Sequence, residues 1–395
     1  PVTGIVRHLD DQCFGCQYCI LACPYDAPKF HLEKGIVRKC DMCADRLRDG
    51  EPPACVQACP HEAIRIRIVD RAEVVSLAEG GGFLPTAPDP LYTLPSTRYV
   101  SDRPRQGPMQ AADHHREEPE HAHTPLVVML VLTQAAAGGF LMDFVGRVAG
   151  YSVSPLLPVS SLILGLGGIS ASLLHLGRPL FAYRAVIGLR HSWLSREVLA
   201  FGMFAKVAMV HVTLAFLRPG FALLSGGAVA VAGLAAVGCS VMVYHAVRRP
   251  FWNAGITGPK FLGTAVVLGL GAVFVGSAGA PSVGLAFAGA GLARILIDFQ
   301  VFRHLRDPRL SPLRRSAELM KGPLASLTWV RLGLGVVGSM VLPVLTIAPG
   351  SSLPEPARVA LASLALVTAL LGELSERALF FQAVVRPKMP GGVHA

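Results

Sequence analysis

The stretch Cys13-Phe14-Gly15-Cys16-Gln17-Tyr18-Cys19-Ile20-Leu21-Ala22-Cys23-Pro24 decides how the first part of this chain is read. It is the C-x2-C-x2-C-x3-C-P run that holds [4Fe-4S] clusters. A second group, Cys40, Cys43, Cys55 and Cys59-Pro60, repeats the order with a longer insert between its second and third cysteines. Eight thiolates meet the demand of two cubanes at four ligands each. The two-residue gaps let successive sulfurs wrap one face of a cubane while the amides between them turn toward the sulfides, and the fourth cysteine reaches the neighbouring cluster. Cys13, Cys16, Cys19, Cys23, Cys40, Cys43, Cys55 and Cys59 are therefore the expected metal ligands. Zinc takes four ligands, commonly as two separated Cys-x2-Cys knuckles, and the crowded triplet Cys13, Cys16, Cys19 suits it poorly. Disulfides have no use for a triplet-plus-one repeat.

Composition describes a different second part. Of the 395 residues 52% are hydrophobic and 16% charged, with a formal net charge of +10, and the first 124 residues hold a large share of the charges. From about residue 125 onward come apolar runs near the roughly 20 residues that cross a bilayer. Arginines gathered in loops between such runs account for the positive balance through membrane orientation, so no nucleic-acid partner is called for. The expected organisation is an α+β ferredoxin-like iron-sulfur domain over 1–79, a linker over 80–124, and an all-α bundle of eight transmembrane helices over 125–385.

The chain opens Pro1-Val2-Thr3-Gly4 without a methionine, as expected of a fragment or processed piece whose export signal and further cysteine groups would lie upstream. In the linker, Gly80-Gly81-Gly82 and Pro85, Pro88, Pro90, Pro95, Pro104 and Pro108 oppose regular helix. His114, His115, Glu117, Glu118, His121 and His123 give it a polar tail, read as a solvated strap lying on the cluster domain rather than as a metal site.

The apolar runs cover 125–146, 155–177, 193–217, 220–247, 259–279, 282–303, 325–347 and 357–384. Pro125, Pro155 and Pro259 are expected at first helical positions. Small residues such as Ala135-Ala136-Ala137-Gly138-Gly139 speak for close helix packing. An even number of crossings returns the chain to its starting side. That side collects Arg178, Arg184, Arg190, Arg196, Arg248, Arg249, Lys260, Arg303, Arg306, Arg309, Arg314, Arg315, Lys321, Arg386 and Lys388, against Arg147, Arg218 and Arg358 opposite. The positive-inside rule then puts the iron-sulfur domain in the cytoplasm, at a bacterial inner membrane.

His175-Leu176-Gly177-Arg178-Pro179 ends the second run and Ser192-Trp193-Leu194-Ser195-Arg196-Glu197 begins the third. His175 and Glu197 thus share one membrane face, and ionisable residues at membrane depth are functional candidates by default. Quinol oxidation releases two protons with two electrons and needs a base near each hydroxyl. His175 and Glu197 are read as those bases, with Arg184 and Tyr183 as further quinol contacts. Arg294 with Asp298, and Glu373 and Glu376 with Arg377, are read as local structural pairs. Asp143, Lys206, His211 and His245 are assigned to interior packing or snorkelling, and Cys239 to apolar filling.

Residues 8–66, from His8-Leu9-Asp10-Asp11-Gln12-Cys13 through Lys39-Cys40-Asp41-Met42-Cys43 to Ala63-Ile64, resemble the second half of the four-cluster iron-sulfur subunit of dimethyl sulfoxide reductase-type molybdoenzymes. Residues 125–384, with eight apolar runs and the His-Leu-Gly-x-Pro signature, are similar to the membrane anchor of the same complexes. Two subunits would then be fused in one polypeptide. The resemblance implies an anaerobic respiratory role: menaquinol oxidised in the membrane, electrons passed through [4Fe-4S] clusters, and a separate molybdopterin-containing catalytic subunit as partner. It ties His175 and Glu197 to the quinol site. It implies four clusters in the full-length protein, with Cys23 and Cys59 completing clusters whose other ligands lie upstream. A self-contained two-cluster domain is the other pairing. A polysulfide or nitrite-reductase type of anchor, and a passive tether for a soluble wire, are the alternative functions.

Overall fold

In the computed structural model the described residues are 4–81, 83–85, 87–102, 109, 118–151, 153–348, 353–386 and 389–390. Gly82, Pro104, Pro108, His114, His115, Glu117 and Lys388, named above, lie outside them. The chain divides into two compact units, Pro1–Arg116 with Arg386–Ala395, and Glu117–Val385.

The first unit is small and turn-rich. Strands β1 (Lys29–His31) and β2 (Ile36–Arg38) form an antiparallel hairpin with Phe30 opposite Val37. Gly35 closes its turn at φ +62°, a left-handed conformation that glycine adopts without steric cost. Ile36 and Val37 are buried, with Leu21 from the short helix Tyr18–Ala22 and Ala78 from Arg71–Glu79. Asp70 caps Arg71–Glu79 by accepting from the Ala72 N–H. Arg38 at the end of β2 is held by Asp10, whose carboxyl that guanidinium and His8 keep below the ordinary range. The segment after the glycines packs on this unit: Phe83 meets the edges of Tyr25 and Tyr99, the Tyr25 and Thr93 hydroxyls are 2.7 Å apart, and Arg98 donates to Glu73. Arg386 also belongs here, paired with Asp26 at 3.2 Å.

Among its described residues the second unit has eight helices long and apolar enough to cross a membrane: α1 Thr124–Val148, α2 Leu156–His175, α3 Trp193–Leu217, α4 Pro219–His245, α5 Ala254–Gly276, α6 Pro281–Arg306, α7 Ala325–Ile347 and α8 Glu355–Gln382. Successive helices run in opposite directions. One end of the bundle, the first face, carries residues 124, 175, 193, 245, 254, 306, 325 and 382. Helix α1 is the centre, with 67% of its apolar window buried against 50% or less for the others. Its small residues explain this. A Cβ on Gly138 would enter the Ala265 backbone of α5, one on Gly269 would enter the Gly138 backbone, and one on Gly139 would strike Ser161 of α2. In lipid, where no hydrophobic force draws helices together, such backbone approach supplies the packing. Toward the second face the core is apolar, built on Phe274, Phe287, Ala362 and Ala365, and it continues along α1 through Ala135 to Val131. Toward the first face an aromatic cluster, Tyr244, Trp252, Phe261, Phe380 and Phe381, ties the α4–α5 connection to the end of α8, and the Trp252 indole donates to the Phe380 carbonyl at 2.9 Å.

Three placements differ from expectation. Pro259 lies inside α5, because Asn253 caps the helix through the Gly255 N–H and starts it five residues earlier. Pro155 is the N-cap of α2, whereas Pro125 sits in the first turn of α1. Lys260, counted among the loop cations, is consequently inside the bundle at 4% exposure. Arg249 and Arg315 are buried as well, so the orientation signal rests on the remaining loop arginines.

Candidate redox and quinol sites

The cysteine loops are shaped by left-handed backbone. Gly15 and Gln17 bracket Cys16 at φ +74° and +57°, and Met42 and Cys43 take φ +57° and +51°. Alternation of left- and right-handed residues turns consecutive N–H groups to one side, the concavity that anions and cluster sulfur occupy. Two such contacts are formed: the Met42 N–H lies 3.4 Å from Cys40 Sγ and the Ala63 N–H 3.3 Å from Cys59 Sγ. The Ala63 and His61 amides hold the Cys59 thiol below its ordinary range. Burial pushes Cys16 up to about 11 and raises Cys19, and iron bound to them would supply the positive charge that favours their thiolates. None of the eight cysteines is joined in a disulfide. Among the described residues no three His, Cys, Asp or Glu side chains converge on a single-ion site. A cubane asks instead for thiolates spread over its corners, and the donor set, the N–H···S contacts and the curled loops fit [4Fe-4S] clusters.

His175 closes the 3-10 turn Ser172–His175 at the end of α2. Its Nδ1 is shielded and has no hydrogen-bond partner among the described residues. Glu197 stands in the first turns of α3, which Ser192 caps through the Ser195 N–H. Glu197 is 6% exposed, and its Oε1 accepts a hydrogen bond from the Ser240 hydroxyl of α4. Arg196, one residue earlier, points elsewhere: it donates to the Leu189 and Arg190 carbonyls at 3.0 Å and lies over the Trp193 ring. The Glu197 carboxylate is thus held by a neutral hydroxyl. His175 and Glu197 are not hydrogen-bonded to each other. They stand at opposite ends of residues 176–192, which contain the 3-10 segment Pro179–Val186. In that segment Arg184 stacks over Phe181 at 4.3 Å and reaches within 5.8 Å of the Tyr183 ring, while Tyr183 is 64% exposed.

The remaining intramembrane polar residues are arranged in two groups. Near the second face His211 lies between Asp143, 3.1 Å from Nε2, and Ser225, 2.9 Å from Nδ1, and Asp143 also accepts from Arg147. This is interior packing that joins α1, α3 and α4. Lys206 is exposed on the outer side of α3, and His245 accepts from the Ala254 N–H.

The second group is larger than the local pairs expected from the sequence. Arg294 of α6 bridges Asp298 at 2.5 Å, Glu376 at 2.8 Å and Glu373 at 3.3 Å. Arg331 of α7 reaches Asp298 at 3.0 Å and Glu373 at 2.8 Å. Lys260 of α5 lies 3.0 Å from Glu376 and 3.8 Å from Asp298. Arg377 lies 3.3 Å from Glu376 and donates to Gln134 of α1 and Thr264 of α5 at 2.9 and 3.1 Å. Seven charges on four helices form one buried network. The local pairs Arg294–Asp298 and Glu376–Arg377 were legible in the sequence, whereas the contacts that join the helices were not. Ser240 had no signal in the sequence, since nothing distinguishes it from a packing serine.

Comparison with known proteins divides the polypeptide in the same way. Residues 1–69 match the family model of the 4Fe-4S dicluster domain, and residues 120–287 match that of the DMSO reductase anchor subunit (DmsC). Over 67 residues the sequence is 45% identical to the B subunit of the anaerobic dimethyl sulfoxide reductase of Haemophilus influenzae, covering 17% of this protein and 33% of that one. It is 49% identical over 61 residues to YnfG, a probable anaerobic dimethyl sulfoxide reductase subunit of Escherichia coli, 15% of this protein and 30% of the relative. A formate dehydrogenase iron-sulfur subunit of Haemophilus influenzae is 48% identical over 63 residues, 16% of this protein and 20% of that one. The matched stretch spans a third or less of the length of these relatives.

Proposed function

We propose that this polypeptide, a 4Fe-4S dicluster segment continuous with a DMSO reductase-type membrane anchor, is a fused electron-transfer and anchor subunit that oxidises menaquinol and serves a separate molybdopterin-containing catalytic subunit in anaerobic respiration. The observation that carries the reading is this fusion of a cluster-binding segment to a membrane bundle whose matched part contains both His175 and Glu197. The partner's active site chooses the terminal acceptor.

Oxidation of one quinol removes two protons and two electrons and leaves the quinone. Bound to the eight cysteines, [4Fe-4S] clusters supply one-electron acceptors for the electrons. The protons fall to the chain's own side chains. The carboxylate of Glu197 takes one hydroxyl proton; Ser240, hydrogen-bonded to Oε1, fixes its rotamer and leaves Oε2 for the substrate. His175, whose shielded Nδ1 holds no other partner among the described residues, takes the second. Arg184 and Tyr183 form the outer edge of the site, where the exposed Tyr183 ring meets the isoprenoid side of the quinol. The bundle lies in a bacterial inner membrane with its arginine-rich first face toward the cytoplasm. Four clusters serve the full-length protein, Cys23 and Cys59 each completing a cluster whose other ligands lie outside these residues.

The test is reduction of the clusters by a short-chain menaquinol analogue in detergent, followed by loss of their visible absorbance. Clusters reduced by dithionite but never by the quinol would mean a passive tether.

A further inference from the structure

Among the described residues Lys206 is the one exposed charged side chain in the middle of a span. It lies thirteen residues beyond Trp193 and eleven short of Leu217, within about 2 Å of the midpoint of α3 at 1.5 Å per residue. A hydrocarbon core of about 30 Å then extends about 15 Å to either side, farther than a four-carbon stem reaches. Snorkelling, expected from the sequence, does not bring this ammonium to water. Nor does the fold satisfy it. Lys206 makes no hydrogen bond or ion pair with any described residue. A charge at such depth is costly alone and ordinarily has a partner.

The surface around it is shaped for a helix. Phe201, Phe204, Ala208 and His211 turn α3 toward the bundle and lie on the opposite side. Outward, the exposed residues Leu199, Gly202, Lys206, Met209, Thr213 and Phe216 recur at alternating steps of three and four, the spacing of a seam that interlocks with a second helix. Nothing lies within 4 Å of a Cβ placed on Gly202, one turn before Lys206, which leaves room for another backbone. The Thr213 hydroxyl is turned back onto the Met209 carbonyl at 2.9 Å, so Lys206 is the polar group the seam offers. A single lysine in such a seam specifies register and partner. A second copy of this chain does not supply the counter-charge. The acids of its eight helices are Asp143, Glu197, Asp298, Glu373 and Glu376, all buried, and Glu355 at the second-face end of α8. A two-fold contact through α3 would set Lys206 against Lys206.

We propose that this face of α3 binds a transmembrane helix of another polypeptide, which packs on Gly202 and pairs a carboxylate at mid-bilayer depth with Lys206. The test uses the whole protein, donor-labelled and reconstituted in phosphatidylcholine vesicles. Acceptor-labelled Leu/Ala transmembrane peptides carry one central Glu, or Gln in its place, and energy transfer reads association. The Glu peptide should bind roughly fivefold or more tightly than the Gln peptide, the worth of one interhelical polar contact. Lys206→Met should abolish the difference, and Lys206→Glu should transfer the preference to a peptide with a central Lys. Gly202→Leu leaves the charge in place and should weaken binding of the Glu peptide by obstructing close approach. Equal binding of the Glu and Gln peptides, as for an amine that needs no partner in lipid, would overturn the proposal. So would a preference that survives Lys206→Met, undiminished binding in Gly202→Leu, or a dimer of this chain that excludes the Glu peptide.

Discussion

The Ser240 hydroxyl of α4 hydrogen-bonds Oε1 of Glu197 on α3, and this contact holds a carboxylate that is otherwise surrounded by packed helix. A buried acid restrained by one neutral donor keeps a free oxygen and a defined rotamer, which is what proton transfer from a hydroxyl needs. Glu197→Gln keeps the shape and loses the base. Quinol-driven cluster reduction should then slow by roughly 10²–10⁴-fold, with the cluster spectra unchanged. Ser240→Ala should give a smaller loss, recovered in Ser240→Thr. His175→Ala should slow the same step. Stopped-flow absorbance reads all four, and wild-type rates in both Glu197→Gln and His175→Ala would remove the assignment.

Cluster stoichiometry separates the two ligand pairings. If Cys23 and Cys59 complete clusters whose other ligands lie upstream, iron and acid-labile sulfide on the full-length protein should approach sixteen each, four per cubane. Eight of each would establish a self-contained pair of clusters. Removal of iron with a chelator should leave a Cys16 thiol, half-buried and pushed up to about 11, that alkylates more slowly at neutral pH than the exposed Cys40 and Cys55.

The central helix depends on backbone contact. Gly138→Ala places a methyl group inside the Ala265 backbone of α5, and the helices must separate to admit it. A loss of about 1–3 kcal/mol is expected from such overpacking, with a lower unfolding temperature in detergent. Gly167→Ala on α2, where nothing lies within 4 Å, is the control and should be neutral or slightly stabilising. Equal effects at the two sites would contradict the α1–α5 contact.

The charge network should resist single substitutions poorly. Arg331→Met takes one counter-ion from Asp298, which keeps Arg294 and Lys260, and one from Glu373, which keeps Arg294, so the loss should fall below the about 3–5 kcal/mol typical of a buried charge left alone. Pairing it with Glu373→Gln should recover part of that loss. Denaturation of the single and double variants measures the coupling, and strict additivity would show that the two residues do not act together.

Much of this molecule was legible in its residues. The spacing of Cys13, Cys16, Cys19 and Cys23 states a cluster motif because ligand spacing is a local property of a loop. Eight apolar runs state eight crossings because bilayer thickness sets helix length. The shared face of His175 and Glu197 followed from counting crossings. Lys260 was misplaced because Pro259 looked like a helix start; Asn253 won by capping the helix upstream.

What the sequence alone determined is therefore the chemistry that local spacing and hydropathy encode: cluster ligands, membrane crossings, and the end of each helix that carries an acid or a base. Only the tertiary structure decided which side chains meet. Ser240 reaches Glu197 across 43 residues and Arg377 reaches Gln134 across 243. Such contacts depend on how far each helix is rotated about its axis, and that rotation is set by the close backbone approach at Gly138, Gly139 and Gly269. Every helix here is apolar on most of its surface, so hydropathy does not distinguish its inward side. Packing of small residues does, and it turned the expected local pairs into one buried network.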